Sequence, residues 1–518
     1  MPEYPTVTLK SFSGGQRDRD HPSAIADNQF QLGKNVDTSQ GGLFDSRLGR
    51  NKKVNTPGSN PQGSSWFSVS ESNNFFIHVN TGRIFKWEGS AQDYTEIDSS
   101  VLLNNQTSPV QMYVLNGRIY IHSGNADNVR SWDGSAVNLT DEGNTNTDPP
   151  LTSLCWTQSR KGFAAQTGTA GTDDFVYPSS VNDGQTWDRT ANNVRLPTEG
   201  NEKVTAGAMY RDGDILVMTR NTSHYITVSD ASVSNWVRKT ISSKIGSVSP
   251  WVSVVGVDAY FMSPDGHIRT IRNTDFGEKQ AVDEPVTVYN PKLIARLKKS
   301  KMSNTRGIWF DNKLLVACSI DNSDYNNVII PFDMLHRIQT ESGMWIPACM
   351  GEWSNMYVGE FIVTYFNNKH ELYYSDSRDG AIYKMLEGDT DDGVDITPEV
   401  RGKSLDFGTQ RHDKSLLDGD IQVFDTFGTL TLSYSKDSAP DTYSSAKSEA
   451  IGGTQAQLPF TLPVQLGSGG VTDFVPVSFY GSGQSRFWQP RITHAGGKIS
   501  LKQISIRAKI HNALSRGY

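Results

Sequence analysis

The sequence predicts an all-β protein: a six- or seven-bladed β-propeller with an N-terminal extended arm and a C-terminal β-sandwich-like domain. First, Trp87-Glu88-Gly89-Ser90 returns 45 residues later as Trp132-Asp133-Gly134-Ser135, a period that suits a blade of four short strands. Second, Asn-Gly and Asp-Gly pairs recur along the chain, as two-residue hairpins require. Third, only 20% of the residues are charged, and 46 Gly and 22 Pro favour turns over long helices.

The central part of the chain carries the repeat. β-favouring apolar runs begin near Phe75, Ile119, Phe163, Ile215, Tyr260, Leu314 and Leu372. Several of these runs are 44 or 45 residues apart, and the longer separations leave room for insertions. Six or seven blades therefore fit between residues 59 and 395.

The chain is too long for one small core, so further domains are expected on both sides of the repeat. Residues 1–58 have scattered apolar residues, which predicts an arm that packs on the propeller or on a neighbouring subunit and that supplies the strand closing the ring. Near residues 387–395 the chain becomes acidic. This stretch resembles an EF-hand loop, but Gly393 comes one place early and the closing Glu is missing, which favours a linker.

Residues 396–518 are predicted to form the second β domain. Residues 430–434 and 504–510 alternate apolar and polar side chains, and a phase slip at Lys502-Gln503 indicates a β-bulge. The Ser-, Gly- and Ala-rich stretch 437–470 between them is predicted to be an extended loop.

A short helix is predicted near residues 291–301, where Pro291 suits a first turn and basic residues lie near the C-terminal end. These basic residues are either a solvated helix face or a patch that faces a partner or DNA. The residues of this patch are Arg296, Lys298, Lys299 and Lys301.

Composition argues against several functional classes. The net charge of −7 gives no excess of Lys and Arg for general nucleic-acid binding. We expect no secretory signal in residues 1–5 and no membrane span, because no run of about 18 apolar residues occurs. Cys155, Cys318 and Cys349 are far apart, so neither a zinc site nor a disulfide framework is predicted.

No motif of catalysis stands out. Residues 180–187, Ser-Val-Asn-Asp-Gly-Gln-Thr-Trp, resemble the Asp-box of sialidase-type propellers, with Asn182 where Asp is usual. That motif is a structural hairpin, in which the polar residue ties the turn and the Trp packs between blades. His78, His122, His224 and His267 are interpreted as structural residues. The sequence thus predicts a protein that is not an enzyme and that has no catalytic residue, metal or cofactor.

Short motifs resemble tail proteins of short-tailed bacteriophages, known as tail nozzle, tail hub or head–tail stabilisation proteins. The motifs are Gly14-Gly15, residues 20–25, Asp27-Asn28-Gln29-Phe30, Asn35-Val36-Asp37, Gly41-Gly42-Leu43, Arg47-Leu48-Gly49, residues 214–218, Tyr225-Ile226, residues 245–250, residues 260–266 and residues 403–408.

The resemblance implies a structural virion protein in the tail, made in the cytoplasm of the host bacterium. Six copies would form a ring that extends the head–tail connector, retains and then conducts double-stranded DNA without sequence-specific binding, and supports fibres or spikes. Expected partners are other copies, the adaptor ring and the fibres or spikes. The alternatives are a sialidase-like propeller that binds or cleaves glycans, and a tail fibre or baseplate adaptor. Assembly contacts are expected at Arg17, Arg19, Asp20, Asn28, Phe30, Arg47 and Arg50.

Overall fold

In the described residues the computed structural model has seven sheets of four to six strands arranged as the blades of a propeller, together with a two-sheet sandwich. Four antiparallel strands form the basic unit of each blade. Each blade is named by its position in the chain, and its strands run from a, the innermost, to d, the outermost. The structure describes residues 4–40, 43–55, 57–58, 60–70, 73–89, 93–158, 160–165, 171–198, 202–211, 213–229, 232–273, 279–281, 283–366, 369–437, 439–451, 472–479 and 481–511.

The first three blades follow one another without interruption. Blade 1 is Pro61–Ser70, Asn73–Asn80, Arg83–Trp87 and Thr95–Glu96. Blade 2 is Gln111–Leu115, Arg118–His122, Arg130–Trp132 and Thr140–Asp141. Blade 3 is Leu154–Gln158, Lys161–Ala165, Phe175–Ser180 and Asp183–Trp187, with Val194–Arg195 added to its third strand.

The remaining blades show the same order. Blade 4 is Val204–Tyr210, Asp214–Thr219, Ser223–Thr227 and Val237–Ser242. Blade 5 is Val252–Val255, Asp258–Met262, Ile268–Asn273 and Lys279–Ala281. Blade 6 is Arg306–Phe310, Lys313–Cys318, Val328–Gln339 and Trp345–Cys349, with Trp353–Ser354 added. Blade 7 is Val358–Phe366, Lys369–Asp376, Ile382–Met385 and Arg50–Val54.

The seven predicted apolar runs are the b strands of the seven blades. Strand b lies between a and c, and its two faces pack on the neighbouring blades, so side chains on both faces are buried in most of these strands. Each a strand neighbours the next, and the a strand of blade 7 neighbours that of blade 1. The ring is therefore closed with seven blades.

The arm closes the ring, as predicted. Its strand Arg50–Val54 pairs antiparallel with Ile382–Met385 and becomes strand d of blade 7. Because one sheet thus joins the first and last parts of the propeller, the ring cannot open without breaking strand pairing.

The arm also enters the sandwich, which was not predicted. One sheet has the order Val36–Asp37, Phe44–Ser46, Ser500–Ile510, Lys414–Phe424 and Thr472–Ser478, with Thr6–Leu9 on Ser500–Ile510. The other has the order Leu32–Lys34, Glu399–Arg401, Trp488–Ala495, Gly428–Lys436 and Ala439–Ile451. The shared core contains Phe12, Phe30 and Phe44 of the arm beside Trp488.

Two predictions about the C-terminal part are corrected. Residues 439–451 form a strand and not a loop; this Ser- and Ala-rich edge strand lacks alternation because its side chains are mostly solvent-exposed. The rest of that predicted loop lies outside the described residues. The acidic linker contains a hairpin of Thr390–Asp391 and Val394–Asp395. The predicted bulge at Lys502 is confirmed, since Leu501 and Gln503 pair with consecutive residues of the next strand.

Helices in the described part of the chain are short. An α-helix spans Pro291–Ala295, as predicted, and 3₁₀ turns span Lys299–Asn304 and Val233–Asn235.

Candidate functional site

Tryptophans at the turn from strand c to strand d form the corners of the blades. Trp132 is buried and its ring centroid lies 4.9 Å from that of Phe75 in blade 1. The carboxylate of Asp133 accepts hydrogen bonds from the backbone N–H groups of Ser135 and Ala136, both at 2.9 Å. The repeated Trp-acid-Gly unit is therefore a packed corner between two blades and not a binding pair.

The Asp-box-like segment forms the c–d hairpin of blade 3, and its tryptophan ends strand d where Trp132 ends strand c. Trp187 is buried against Tyr113 and Tyr120 of blade 2, which confirms the predicted packing between blades. The turn is tied by Asp183, whose Oδ1 accepts from the N–H of Gln185 at 2.9 Å. The sequence pattern had assigned that role to Asn182, which instead adopts a positive φ of 56°.

The four histidines interpreted as structural differ in their hydrogen bonds. His267 shares one of 2.9 Å with Thr287, whereas both ring nitrogens of His122 are buried without a partner in the part of the chain that the structure describes. His78, His122 and His224 are fully buried in strands, and burial lowers the pKa of His78 and His122 to about 3 and that of His224 to about 4. His78 shares a hydrogen bond of 2.7 Å with the hydroxyl of Ser64. Within the described residues no group of three or more His, Cys, Asp or Glu is arranged to hold a metal ion.

The channel along the propeller axis is narrow. A cavity of 420 Å³ lies among the a strands, lined by residues of five blades, such as Ser64, Gln111 and Gly207, and by Pro250 before blade 5. Arg306 of blade 6 donates from Nε to Oε2 of Glu360 in blade 7 at 2.8 Å. Burial raises the pKa of Glu360, and Arg306 offsets part of that effect. A DNA duplex about 20 Å wide does not fit this space.

The two ends of the propeller differ in exposed apolar side chains. Because successive strands alternate in direction, the a–b and c–d turns of each blade lie at the same end of the propeller, which is called the a–b face. In blade 3 a hydrogen bond joins the two turns: the N–H of Asn182 in the c–d turn donates to the carbonyl of Arg160 in the a–b turn at 2.7 Å. Among the described residues, nine large apolar side chains are exposed at this face: Val69, Val137, Met209, Val237, Val257, Trp309, Leu335, Trp345 and Tyr365. The described part of the opposite face carries two, Leu102 and Tyr325.

Five of the nine residues lie at the inner ends of the blades, around the mouth of the channel. They are Val69, Met209, Val257, Trp309 and Tyr365, and this set is called the propeller patch. Scattered apolar side chains are normal on a protein surface, but a concentration on one end marks an interaction surface. The sequence did not reveal this patch, since an exposed Trp or Met at a strand end looks like a buried one.

A second cavity, of 950 Å³, lies where the a–b face meets the arm and the sandwich. Its wall includes Leu48 and Asp45 of the arm, Phe310 of blade 6 and Lys369 of blade 7. Eight of its eighteen lining residues are Asp, Glu or Lys, and seven are apolar, so the wall is rich in groups that can form hydrogen bonds.

Three of the predicted assembly residues lie inside the chain, so the structure corrects that part of the prediction. Phe30 is in the sandwich core. Arg47 is buried and makes two hydrogen bonds to Asp391, of 2.9 and 2.5 Å. Arg50 is buried and donates to the hydroxyl of Tyr374. None of the three offers a free side chain to another subunit.

The other four predicted residues, Arg17, Arg19, Asp20 and Asn28, keep some contact with solvent, and their role in assembly stays a prediction. Arg17 lies over the ring of Tyr289, 4.1 Å from its centroid, and pairs with Asp20.

The predicted basic patch is largely neutralised by acidic neighbours. Arg296 donates to Asp321 and to Glu352, with the shortest contact to each at 2.6 Å. Lys298 and Lys301 both pair with Asp324, at 2.9 and 3.5 Å. Lys299 is exposed. The segment that follows the helix therefore presents a surface of mixed charge, which is a poor match for DNA phosphates.

Comparison with known proteins gives distant structural neighbours. No protein-family model matches the chain, and no curated protein matches it significantly. Among solved structures, the extracellular domain of the putative one component system BT4673 from B. thetaiotaomicron is similar at 11% identity and a TM-score of 0.40. That match covers 65% of this chain but 40% of the other, so this chain spans well under half of that protein.

YCF48 from Cyanidioschyzon merolae is similar at 10% identity and a TM-score of 0.38, with 65% of this chain and 98% of the other covered. YCF48 bound to a D1 peptide is similar at 8% identity and a TM-score of 0.37, with 65% and 97% covered. At these identities no function is transferred, and the propeller is assigned from its own strand pairing.

The described ranges contain no helix of the length and apolarity needed to span a bilayer.

Proposed function

We propose that the chain is a structural protein of the tail of a short-tailed bacteriophage, a subunit of a ring-shaped nozzle or hub. The observation that carries this proposal is the a–b face, whose concentration of exposed apolar side chains calls for a protein partner. The sequence motifs that resemble tail proteins name the class of assembly. In this role the protein is not an enzyme, and its synthesis takes place in the cytoplasm of the host bacterium.

The small cavity at the centre of the propeller supports a genome path that lies between subunits. Since the space around Arg306 and Glu360 does not admit a duplex, DNA would pass through an opening formed between subunits and not through a single propeller. A mildly acidic chain with a net charge of −7 supports such a conduit, because phosphates would not adhere to it.

The same proposal names the partners of each subunit: other copies of the chain in the ring, the adaptor ring on one side, and fibres or spikes on the other. Association between copies is tested first, because it needs no second protein. Arg17, Arg19, Asp20 and Asn28 are the arm residues available for the adaptor.

The proposal is tested on the purified full chain by sedimentation velocity and negative-stain electron microscopy over a range of concentrations. We expect closed rings, six copies being the number that the sequence resemblance implies, with a central opening of at least about 20 Å. A chain that stays monomeric at high concentration, and that is missing from tails of the parent particle, would contradict the proposal.

A glycan-binding propeller is the second candidate, and the 950 Å³ cavity beside the sandwich favours it. The test is a glycan array and isothermal titration with host polysaccharide, comparing the chain with a Phe310→Ala variant. Saturable binding that this variant loses would support the candidate, and release of reducing sugar would add cleavage. A fibre or baseplate adaptor has the same fold and is distinguished by its position in the particle.

A further inference from the structure

A second apolar surface lies on the sandwich. Phe424 and Phe474 are 38% and 64% exposed, and together they are called the sandwich patch. In the pairing of Lys414–Phe424 with Thr472–Ser478, Phe474 lies opposite Gln422. Phe424 and Phe474 are therefore diagonal neighbours on the same outer face of the sheet.

The sandwich patch has the composition of the centre of a protein interface. Aromatic residues are enriched at such centres, and each buries about 150–250 Å² when covered. The exposed fractions of the two Phe residues correspond to roughly 200 Å² of aromatic surface. Each partner in a standard interface buries about 800 Å², so the patch suffices for the apolar centre and leaves the remainder to a polar rim.

The contact at this patch must be made by side chains. Thr472–Ser478 is the last strand of its sheet, which would leave backbone groups open to another strand. Pro476 in the middle of that strand has no N–H to donate, which opposes the addition of a strand. A partner would therefore cover Phe424 and Phe474 by packing.

One chain thus carries two different apolar surfaces on two different domains, and both are exposed. They do not cover each other within the chain. If the sandwich patch of one copy contacts the propeller patch of the next, a single head-to-tail interface covers both patches of every subunit. If each patch instead paired with the same patch of another copy, two different interfaces would be needed. A head-to-tail contact closes into a ring when its rotation permits. The occupant that these observations favour is a second copy of this chain.

We infer that the sandwich patch of one copy docks on the propeller patch of the next. The inference rests on the proposed ring and names its interface. Trp309 and Tyr365, the two aromatic residues of the propeller patch, lie in adjacent blades 6 and 7. Trp309 also lines the 950 Å³ cavity beside the arm and the sandwich, so the next copy would dock at the edge of that cavity.

The test uses three full-length double variants. The first, Trp309→Glu with Tyr365→Glu, disables the propeller patch; the second, Phe424→Glu with Phe474→Glu, disables the sandwich patch. The matched control, Leu102→Glu with Tyr325→Glu, places the same charges at exposed apolar positions on the opposite face. All six positions are exposed, so the fold should persist, and circular dichroism with thermal melting checks this for each variant.

Sedimentation velocity gives the outcome for each variant alone. We expect the wild-type chain and the control to form rings. We expect either patch variant to associate at least about 30-fold more weakly, because central aromatic residues dominate interface affinity. Rings from a folded patch variant would overturn the inference while leaving the proposed function intact, and a wild-type chain without rings would overturn both.

Mixing the two patch variants tests the head-to-tail geometry. The mixture retains one intact contact, between the sandwich patch of the first variant and the propeller patch of the second, so we expect a one-to-one dimer that does not grow. A mixture that remains monomeric when wild-type rings form would overturn the inference, as would a dimer of either variant by itself.

Discussion

Blades 1 to 6 and the sandwich are both built from antiparallel sheets, but they use the chain in opposite ways. Each of these blades is made from consecutive residues, so its strands meet through short turns. The sandwich takes strands from Thr6–Leu9 to Phe44–Ser46 at one end of the chain and from Glu399–Arg401 to Ser500–Ile510 at the other. Local pairing is visible in a sequence repeat, whereas pairing across more than 400 residues leaves no local pattern.

Truncating the arm should have the largest effect on stability, because the sandwich needs the strands of the arm and blades 1 to 6 do not. Deleting residues 1–49 removes four strands and the core residues Phe12, Phe30 and Phe44 from the sandwich, so we expect the sandwich to unfold while the blades persist. Deleting residues 1–54 should also expose blade 7. Hydrogen exchange read by mass spectrometry measures both effects, with the full chain as control. Sandwich peptides that stay protected without residues 1–49 would show that the arm is dispensable.

Breaking the buried pair between Arg47 and Asp391 should have the next largest effect. Arg47 is 1% exposed, so Asp391→Ala leaves an unpaired guanidinium in the interior and should cost about 3–5 kcal/mol of unfolding free energy. The matched control is Asp418→Ala, which breaks an exposed pair with Arg507 in the sandwich and should cost under about 1 kcal/mol. Urea denaturation compares them, and equal costs would refute the role of burial.

The blades should be sensitive to acid over a range set by their histidines. The folded pKa of His78 and of His122, about 3, lies below the ordinary value of 6.5, so the unfolded chain binds more protons between these values. Stability should fall as pH falls from 6.5 towards 3, by up to about 1.4 kcal/mol per pH unit for each histidine. Denaturant midpoints at several pH values should show a shallower slope for His122→Gln than for wild type. Parallel slopes would contradict the prediction.

The closing strand should respond to acid in a lower range and more weakly. Burial would raise the pKa of Glu387, but hydrogen bonds from Lys53, Asn51 and Lys384 outweigh it and hold the pKa at about 2. Because this value is depressed from 4.5, the stabilisation is present above pH 4.5 and is lost as pH falls towards 2. The carboxylate is one-third exposed, so Glu387→Gln should change the unfolding free energy at pH 7 by under about 1 kcal/mol.

The propeller could be predicted from sequence because each b strand is buried on two faces and reads as an apolar run. The spacing of the corner tryptophans also gave the length of the repeat, since Trp87 and Trp132 occupy equivalent positions in blades 1 and 2. The arm could not be placed in this way. Phe30 and Arg47 were predicted to contact another subunit, but their partners lie in the C-terminal part of the same chain, which no local pattern indicates. The propeller patch was missed because exposure depends on which strand end a residue occupies.

The strand Arg50–Val54 is synthesised long before the strand with which it pairs. It leaves the ribosome before any blade, yet its partner Ile382–Met385 follows more than 300 residues later. At about 5–20 residues per second the strand waits for roughly 15–65 seconds without its pairing edge. During that interval several nascent chains on one messenger RNA lie close together. If the arm of one chain pairs with blade 7 of another, the two chains become domain-swapped. Because of this order of synthesis, correct folding is favoured when other contacts hold the arm until blade 7 has been synthesised.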